Sequence, residues 1–186
     1  MQKIMFNDKY GLTQAVIEGR KTQTRRTFLR SGEENLLDGI TQEYLISVRS
    51  RYKVGETVAI AQSYKDIHAE ILREVGDWDL KKEFLQSKGY ANKMFVRAER
   101  MPHAIRITNI RIERLQDISD EDCMKEGIWR DENVGLEGTT YWYHGLANSS
   151  FRTPQKAYAS LIDRISGKGI WASNPYVFVY EFELIN

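Results

Sequence analysis

The sequence predicts a mixed α+β fold: a small curled β-barrel with peripheral helices and an inserted, partly helical region. Two long runs of apolar alternation, over 104–114 and 176–184, have the period of β-strands. Capping signals mark two helices. Ser119 precedes a short helix over 120–126, and Thr153-Pro154 begins another. An α+β domain is the simplest account of these elements.

The strand over 104–114 contains a change of phase. Its apolar positions are odd-numbered at first and even-numbered later, and isoleucine occupies them: Ile105, Ile107, Ile110 and Ile112. A strict period of two cannot place all four side chains on one face. We therefore expect a β-bulge or sharp bend near Thr108-Asn109, and such bulges are common where a sheet curls into a barrel.

Shorter signals predict the other elements of the core. Residues 3–6 are apolar enough for a first strand, and a helix is expected over 9–18, ended by Gly19. Residues 57–62 alternate as a second strand. Residues 94–96 are apolar enough for a short strand.

Three segments are less regular. Residues 31–51 are polar and mixed, with a turn or loop at 31–35. The region 63–101 is predicted to be an insertion over a simpler core, helical in part. Residues 130–150 are polar and aromatic with several glycines, which is typical of a long loop. No internal repeat or linker is found, so we expect one domain over 1–186.

The composition excludes several broad classes of protein. The 186 residues are 41% hydrophobic and 28% charged, which is typical of a folded globular chain. A formal net charge of +1 gives no overall attraction to nucleic acid, so any basic patch must be local. The single cysteine, Cys123, excludes an internal disulfide. Without an apolar run of about 18 residues, no membrane span is expected. These features predict a cytoplasmic protein.

The most distinctive stretch is Gly19-Arg20-Lys21-Thr22-Gln23-Thr24-Arg25-Arg26, which follows the first predicted helix directly. Between Arg20 and Arg30 there are five basic residues and no acidic one. At the end of an element, such a cluster presents positive charge and hydroxyls to an anion or a polar base. Spacing alone leaves a solvated loop as the alternative. Arg25 and Arg30 are expected to be solvated or to face phosphates in either case.

Three blocks of the sequence resemble the ASCH domains, a branch of the PUA-like superfamily. The stretch from Gly19 to Arg26 is similar to that family's signature G-x-K-x-x-T-x-R. Residues 115–122 followed by Glu126-Gly127-Ile128 are similar to its second signature. Trp171, Asn174-Pro175 and residues 176–182 resemble the closing strand of its phage-related members. The blocks occur in the family's order and cover roughly half the chain.

The resemblance implies a fold and a site. The fold is a PUA-like β-barrel with a helix between its first two strands, and a cleft beside that helix is proposed to bind RNA or nucleosides. A bacterial branch, the N4-acetylcytidine amidohydrolases, uses a Lys, a Thr and a Glu that match Lys21, Thr24 and Glu126. Arg26 matches the signature's arginine. The chain departs from the family at Gln62, where a Glu often follows the second strand, and is nearly twice as long as the small amidohydrolases.

The matched residue types suit amide hydrolysis, which needs a nucleophile, a base and stabilisation of the oxyanion. Thr24 could attack the amide or orient a water. Lys21 could act as a base with a lowered pKa, or supply positive charge. Glu126 ends a short helix and could act as a general acid or base. A plain carboxylate paired with a nearby cation is an equally good interpretation of Glu126.

Further residues are predicted to contact the ligand or are assigned no chemistry. The predicted ligand contacts are Arg20, Arg25, Arg26 and Trp129. The aromatic residues Trp129, Tyr141, Trp142 and Tyr143 could stack on bases or pack the loop on the barrel. No metal or cofactor is predicted, because His68, His103 and His144 share no ligand spacing. Cys123 is expected to be a small buried hydrophobe.

The sequence leaves three functions open. The first is binding of RNA or a modified nucleoside in a cleft beside Lys21. The alternative is an amidohydrolase acting at that cleft on an acylated nucleoside such as N4-acetylcytidine. The third is a phage or prophage accessory protein that acts through protein partners, with the inserted region as its interface.

Overall fold

A five-stranded sheet organises the chain, in agreement with the predicted α+β class. The structure is a computed structural model that describes residues 1–28, 39–67, 82, 85–132, 138–145 and 150–185. In spatial order, the strands of this sheet are β1 (Gln2–Ile4), β3 (Thr57–Ile60), β4 (Ala104–Arg114), β7 (Tyr176–Ile185) and β2 (Gln23–Thr27). β1 runs parallel to β3, and the other neighbours are antiparallel.

The central pair β4 and β7 contains the predicted bulge. The register between the two strands shifts between Ile107 and Asn109, so Thr108 is the extra residue. The four isoleucines of β4 are all buried, with exposed fractions from 0% to 7%: Ile105, Ile107, Ile110 and Ile112. The change of phase in the sequence is therefore resolved by the bulge, which keeps both halves of the strand packed on the core.

The predicted barrel is not formed by strand pairing, because the sheet is open. β1 pairs with β3 alone and β2 with β7 alone, so both are edge strands. One side chain crosses the gap between these edges: Arg26 of β2 donates a hydrogen bond from Nη2 to the carbonyl of Met5, at 2.6 Å. The five strands therefore form an open sheet rather than a closed barrel.

The two capped helices form as predicted. Ser119 accepts a hydrogen bond from the backbone N–H of Asp122 at the start of α3 (Asp120–Lys125). Thr153 caps α4 (Pro154–Ser166), with proline in its first turn. Helix α4 buries one face against the sheet, comprising Pro154, Ala157, Tyr158, Leu161 and Ile162. A last short helix, α5 (Ile170–Ser173), leads into β7.

The first predicted helix is divided in two. A 3₁₀ turn over Asp8–Tyr10 is followed by α1 (Leu12–Ile17). Gly11 lies between them with φ of 62°, in the left-handed region that favours glycine. A Cβ atom on Gly11 would lie 2.9 Å from Cβ of His144, so a larger residue is excluded there.

Several segments differ from their predictions. The distinctive basic stretch is not a loop, because its second half is the edge strand β2. The polar segment 31–51 contains α2 (Gln42–Arg49), which begins at a Thr41 cap. Residues 94–96 are not a strand, since a 3₁₀ turn covers Lys93–Phe95. The predicted long loop contains a two-stranded ribbon, β5 (Trp129–Asp131) and β6 (Thr140–Trp142).

Other predictions fall wholly or partly outside the described residues. These are the loop at 31–35, Arg30, His68 and most of the helical spacing in the inserted region. In its described part, the inserted region has short 3₁₀ turns over Lys93–Phe95 and Ala98–Arg100. Across the described ranges, no helix has both the length and the apolar character needed to cross a membrane.

Candidate functional site

Backbone hydrogen bonds fix Lys21 and Thr22 between three elements. The N–H of Lys21 donates to the carbonyl of Ala15 in α1, and the N–H of Thr22 donates to the carbonyl of Lys125 at the end of α3. The carbonyl of Thr22 accepts from Phe182 of β7. The start of the basic stretch is therefore attached to helix, helix and sheet at once, which gives the Lys21 side chain a defined direction.

That direction places Lys21 against Glu126, 105 residues later in the sequence. Lys21 Nζ lies 2.5 Å from Glu126 Oε2 and also donates to the Glu126 carbonyl, at 2.9 Å. The two side chains are 2% and 5% exposed. Gly127 follows with φ of 98°, and a Cβ atom there would lie 3.3 Å from Cδ2 of Leu12. Glycine thus lets the end of α3 approach α1 closely.

Burial is the largest influence on the pKa of Lys21. Loss of water lowers the pKa of Lys21 below its ordinary value of 10.5, since the charged ammonium is poorly solvated there. The carboxylate of Glu126 opposes this shift, and Arg26 and Arg25 add to it. The predicted lowering of the lysine pKa is therefore found. Its largest cause is burial rather than the neighbouring arginines.

Arg25 is the centre of a buried ion cluster, which we call the Arg25 cluster: Arg25, Glu113, Asp122 and Glu126. Its side chain has no exposed surface. Nη2 lies 2.7 Å from Glu113 and 2.9 Å from Asp122, and Nη1 lies 3.0 Å from Glu126. The prediction that Arg25 is solvated or faces phosphates is wrong. The cause is tertiary, because its three acidic partners come from β4 and α3.

The guanidinium of Arg25 is fully satisfied. Nε donates to Glu113, Nη1 donates to Gln23 and Glu126, and Nη2 donates to Glu113 and Asp122, which uses all five N–H groups. Burial alone would lower the pKa of Arg25, but the carboxylates of Glu126 and Glu113 raise it above its ordinary value. Arg25 is thus a permanent cation.

Asp122 extends the cluster towards the surface. It pairs with Arg25 and with Arg111 of β4, which also pairs with Glu181 and Glu113. Burial raises the pKa of Asp122, but hydrogen bonds from Gln23 and Arg25 outweigh this and lower it below 3.8. Because the pKa of Asp122 is lower in the folded chain than in the unfolded chain, its charge stabilises the fold at any pH above the unfolded-state pKa. This stabilisation is lost as the pH falls through the folded-state pKa.

A cavity of about 360 Å³, which we call the site cavity, opens beside the Lys21–Glu126 pair. Its polar lining includes Lys21, Thr24, Arg25, Arg26 and Glu126. Its apolar lining comes largely from α4, through Leu161, Ile162 and Ile165, and from Phe6 and Leu12. The structure thus brings the predicted Lys21, Thr24 and Glu126 to one cavity, together with two of the arginines predicted to contact a ligand.

Two side chains that carry a hydroxyl line the site cavity, those of Tyr158 and Thr24. The Tyr158 hydroxyl is buried and has no hydrogen-bond partner among the described residues. Burial raises the pKa of Tyr158 well above its ordinary value, so the hydroxyl keeps its proton. The Thr24 side chain is 5% exposed. Buried polar groups are normally paired, so an unpaired hydroxyl marks a position for a ligand atom or a water.

Sequence reasoning missed Tyr158 and two acidic members of the Arg25 cluster, Glu113 and Asp122. Tyr158 lies on the buried face of α4, next to Ala157. A phenol among aliphatic side chains is the one feature of the sequence that could have marked it as a site residue. Glu113 and Asp122 carry no such signal. They lie in a strand and in a helix first turn, where acidic residues are ordinary.

Arg20 and Trp129 do not line the site cavity. Arg20 pairs with Glu18, and its guanidinium lies 4.5 Å from the centre of the Trp129 ring. Trp129 is 45% exposed, so the two residues form an outer stack beyond the cavity. Their predicted contact with a ligand stays a prediction.

The other predicted groups take structural positions. Tyr143 is 2% exposed and packs on Tyr10 and Phe151, which favours the packing alternative for this aromatic residue. Cys123 is fully buried, as expected, and burial raises the pKa of its thiol to about 12. Within the described residues, no three acidic, histidine or cysteine side chains are grouped to bind a metal.

Comparisons with known proteins give two similar solved structures. No protein-family model and no curated protein matches the sequence. An ASCH domain from Lactobacillus crispatus JV V101 aligns with 96% of this chain and 75% of its own, at 12% identity and a TM-score of 0.39. Protein EF3133 from Enterococcus faecalis V583, a DUF984 protein, aligns with 100% and 77%, at 14% identity and a TM-score of 0.41.

The family that the sequence blocks resemble is thus also found among similar structures. TM-scores of 0.39 and 0.41 are too low to support an argument about ligand or activity. A phage or prophage origin stays a prediction.

Replacing Arg25 by methionine tests the cluster. Arg25→Met keeps a long side chain but leaves buried carboxylates without their common cation. We expect the free energy of unfolding to fall by about 3–5 kcal/mol. The matched control is Arg20→Met, which changes an exposed arginine of the same stretch. Its free energy of unfolding should fall much less. Urea unfolding near neutral pH measures both. An equal loss in the two variants would show that the cluster adds nothing special to stability.

Proposed function

We propose that the site cavity binds the base of a nucleoside, with RNA or a modified nucleoside as the ligand class. One observation supports this most directly. Tyr158, whose buried hydroxyl has no partner among the described residues, and Thr24 line the same cavity as a buried Lys–Glu pair. A heterocyclic base offers both hydrogen-bond donors and acceptors at its edge and an apolar face. The resemblance to ASCH domains implies the same ligand class.

The size and apolar lining of the cavity fit this ligand class. Small-molecule sites are commonly about 300–1,000 Å³, mainly apolar, with a few polar groups that fix orientation. The site cavity, at about 360 Å³, is near the lower limit and suits one base better than a larger cofactor. Leucine and isoleucine side chains of α4 would contact the faces of the base.

The polar groups would give the cavity its selectivity. Lys21 supplies N–H donors, and Glu126 supplies acceptor oxygens, but both are already engaged with each other. The hydroxyls of Thr24 and Tyr158 can each donate or accept, so they can adapt to the edge that a base presents. A buried hydroxyl without a hydrogen bond costs free energy. A ligand that pairs with the Tyr158 hydroxyl would remove this cost.

Binding of N4-acetylcytidine and of cytidine, measured by isothermal titration calorimetry, tests the proposal. Tyr158→Phe deletes one unpaired hydroxyl and preserves the ring, so the fold should be kept or slightly stabilised. We expect affinity to fall by about three- to tenfold, the value of one hydrogen bond. Tyr143→Phe is the matched control, because the Tyr143 hydroxyl pairs with Ser160 at 2.9 Å and lies outside the cavity.

Two results would overturn the proposal. One is a wild-type protein that binds neither nucleoside at millimolar concentration. The other is an equal effect of Tyr158→Phe and Tyr143→Phe on affinity, since the cavity hydroxyl would then be irrelevant.

A second candidate function is hydrolysis of an acylated nucleoside in the same cavity. The supporting observation is the lowered pKa of Lys21, which favours the neutral amine that a general base requires. In this mechanism Lys21 takes the proton of a water that Thr24 orients, and the water oxygen bonds to the acetyl carbonyl carbon. The bond between that carbon and the N4 nitrogen then breaks, and the proton passes from Lys21 to the leaving amine. If Thr24 itself attacks, the acetyl group is first held as an ester on Thr24, and a water activated by Lys21 then releases it as acetate. Hydrolysis of N4-acetylcytidine would yield cytidine and acetate.

The pH dependence of kcat/KM tests this mechanism, with cytidine release followed by chromatography. We expect activity to rise with pH through an apparent pKa below the ordinary lysine value of about 10.4, because the neutral amine is the active form. Thr24→Val should abolish turnover. Thr22→Val changes a threonine that does not line the cavity and should keep it. Wild-type release at the buffer rate, or equal effects of the two substitutions, would exclude this mechanism.

Action through protein partners has no supporting observation in the described residues. That function and the cytoplasmic location stay predictions.

A further inference from the structure

A second groove lies against the site cavity and shares part of its lining. It has a volume of about 410 Å³ and also includes Met5, Arg26 and Thr27, which line the site cavity. Arg26 therefore separates the two spaces. We call the second space the cation groove; its lining is Lys3, Met5, Arg26, Thr27, Phe28, Arg49, Arg51, Tyr52, Phe178 and Tyr180.

Among the described residues, the charge that lines the cation groove is of one sign. These residues supply four cations and no carboxylate: Lys3, Arg26, Arg49 and Arg51. Within the described residues, none of these four cations forms an ion pair with an acidic side chain. The chain as a whole has a formal net charge of only +1, so this concentration of unpaired charge is local. Such a groove attracts a polyanion.

The four cations come from three elements. Arg49 is in the last turn of α2, and Arg51 lies two residues beyond the end of that helix. Lys3, in β1, donates to the carbonyls of Met94 and Val96. Arg26 crosses from β2 to Met5. Cations from α2, β1 and β2 thus converge on one groove at the open edge of the sheet.

Aromatic side chains lie among these cations. Phe28 is partly buried, and its ring centroid lies 4.2 Å from that of Phe178. The other rings of the lining, those of Tyr52, Phe178 and Tyr180, are buried, so Phe28 is the described ring on which a base could stack. Cations that track phosphates, combined with an aromatic ring on which a base stacks, are features of single-strand nucleic-acid sites.

We propose that the cation groove binds the sugar–phosphate backbone of a single-stranded RNA or DNA, one base of which occupies the site cavity. This inference rests on the proposed function of the cavity and specifies its ligand as a polymer rather than a free nucleoside. A single strand is the favoured polymer, because a base in a duplex would first have to be unpaired and flipped out of the stack to enter the cavity. Arg26, shared by both spaces, contacts the nucleotide whose base is bound.

The test compares a free nucleoside with the same base in a strand. Binding of N4-acetylcytidine is measured by calorimetry. Binding of a short single-stranded RNA that contains it once is measured by fluorescence anisotropy, as is binding of the DNA analogue. The variant Arg49→Gln/Arg51→Gln removes two groove cations. Arg152→Gln/Lys156→Gln is the charge-matched control, because both residues are exposed and line neither space.

We expect the strand to bind wild-type protein more tightly than the nucleoside does. The groove variant should weaken strand binding by about thirtyfold, the effect of two lost phosphate contacts at about 4 Å in water. The control should change it by less than about threefold. Between about 50 and 200 mM salt, the slope of log K against log salt should become shallower by about 1.4, or 0.7 for each lost contact. Melting temperatures establish that both variants are folded.

The outcomes separate failure of this inference from failure of the proposed function. If the nucleoside binds but the strand binds no tighter, or if the groove and control variants behave alike, the inference is overturned and the cavity proposal stands. If strand binding depends on Arg49 and Arg51 but not on the Tyr158 hydroxyl, one strand does not span both spaces and the inference is overturned, whereas the cavity proposal is decided by the effect of Tyr158→Phe on nucleoside binding. If a polyglutamate peptide of equal charge binds as tightly as the strand, the groove recognises an acidic protein, and the inference is overturned.

Discussion

The buried guanidinium of Arg25 is the constraint on which the candidate site depends. It draws three carboxylates from strand β4 and helix α3 to edge strand β2, and each of its N–H groups has a partner. One of those carboxylates, Glu126, uses its second oxygen to pair with Lys21. The position of the lysine therefore depends on the arginine through a shared acid. A buried cation with five directed donors fixes that geometry more strictly than apolar packing would.

The open sheet gives this ion cluster a cavity to face. Because β1 and β2 are not joined by a ladder, the space between the two edges is not filled by backbone, and the side chain of Arg26 bridges it instead. The site cavity lies on one side of this bridge and the cation groove on the other. The open edge of the sheet therefore accounts both for the absence of a closed barrel among the described strands and for the two adjoining cavities.

Local signals in the sequence predicted local structure well. The caps at Ser119 and Thr153 depend on neighbouring residues alone, and the bulge at Thr108 follows from the phase of one strand. The convergence of Lys21 with Glu126 was expected from the resemblance to ASCH domains rather than from spacing. The burial of Arg25 could not be predicted, because an arginine is usually exposed and its acidic partners lie 88 to 101 residues away. Closure of the sheet could not be predicted either, because it depends on whether the edge strands β1 and β2 meet in space.

Burial lowers the pKa of Lys21 beside the site cavity, and the Glu126 carboxylate opposes that shift. The most direct measurement is an NMR pH titration of the side-chain carbon Cε of Lys21, assigned with the Lys21→Arg variant. The account predicts a pKa below the ordinary lysine value of about 10.4. It also predicts a further decrease in Glu126→Gln, because the Glu126 carboxylate raises the lysine pKa. A Lys21 signal that titrates with the surface lysines, or one whose pKa does not fall in Glu126→Gln, would contradict it.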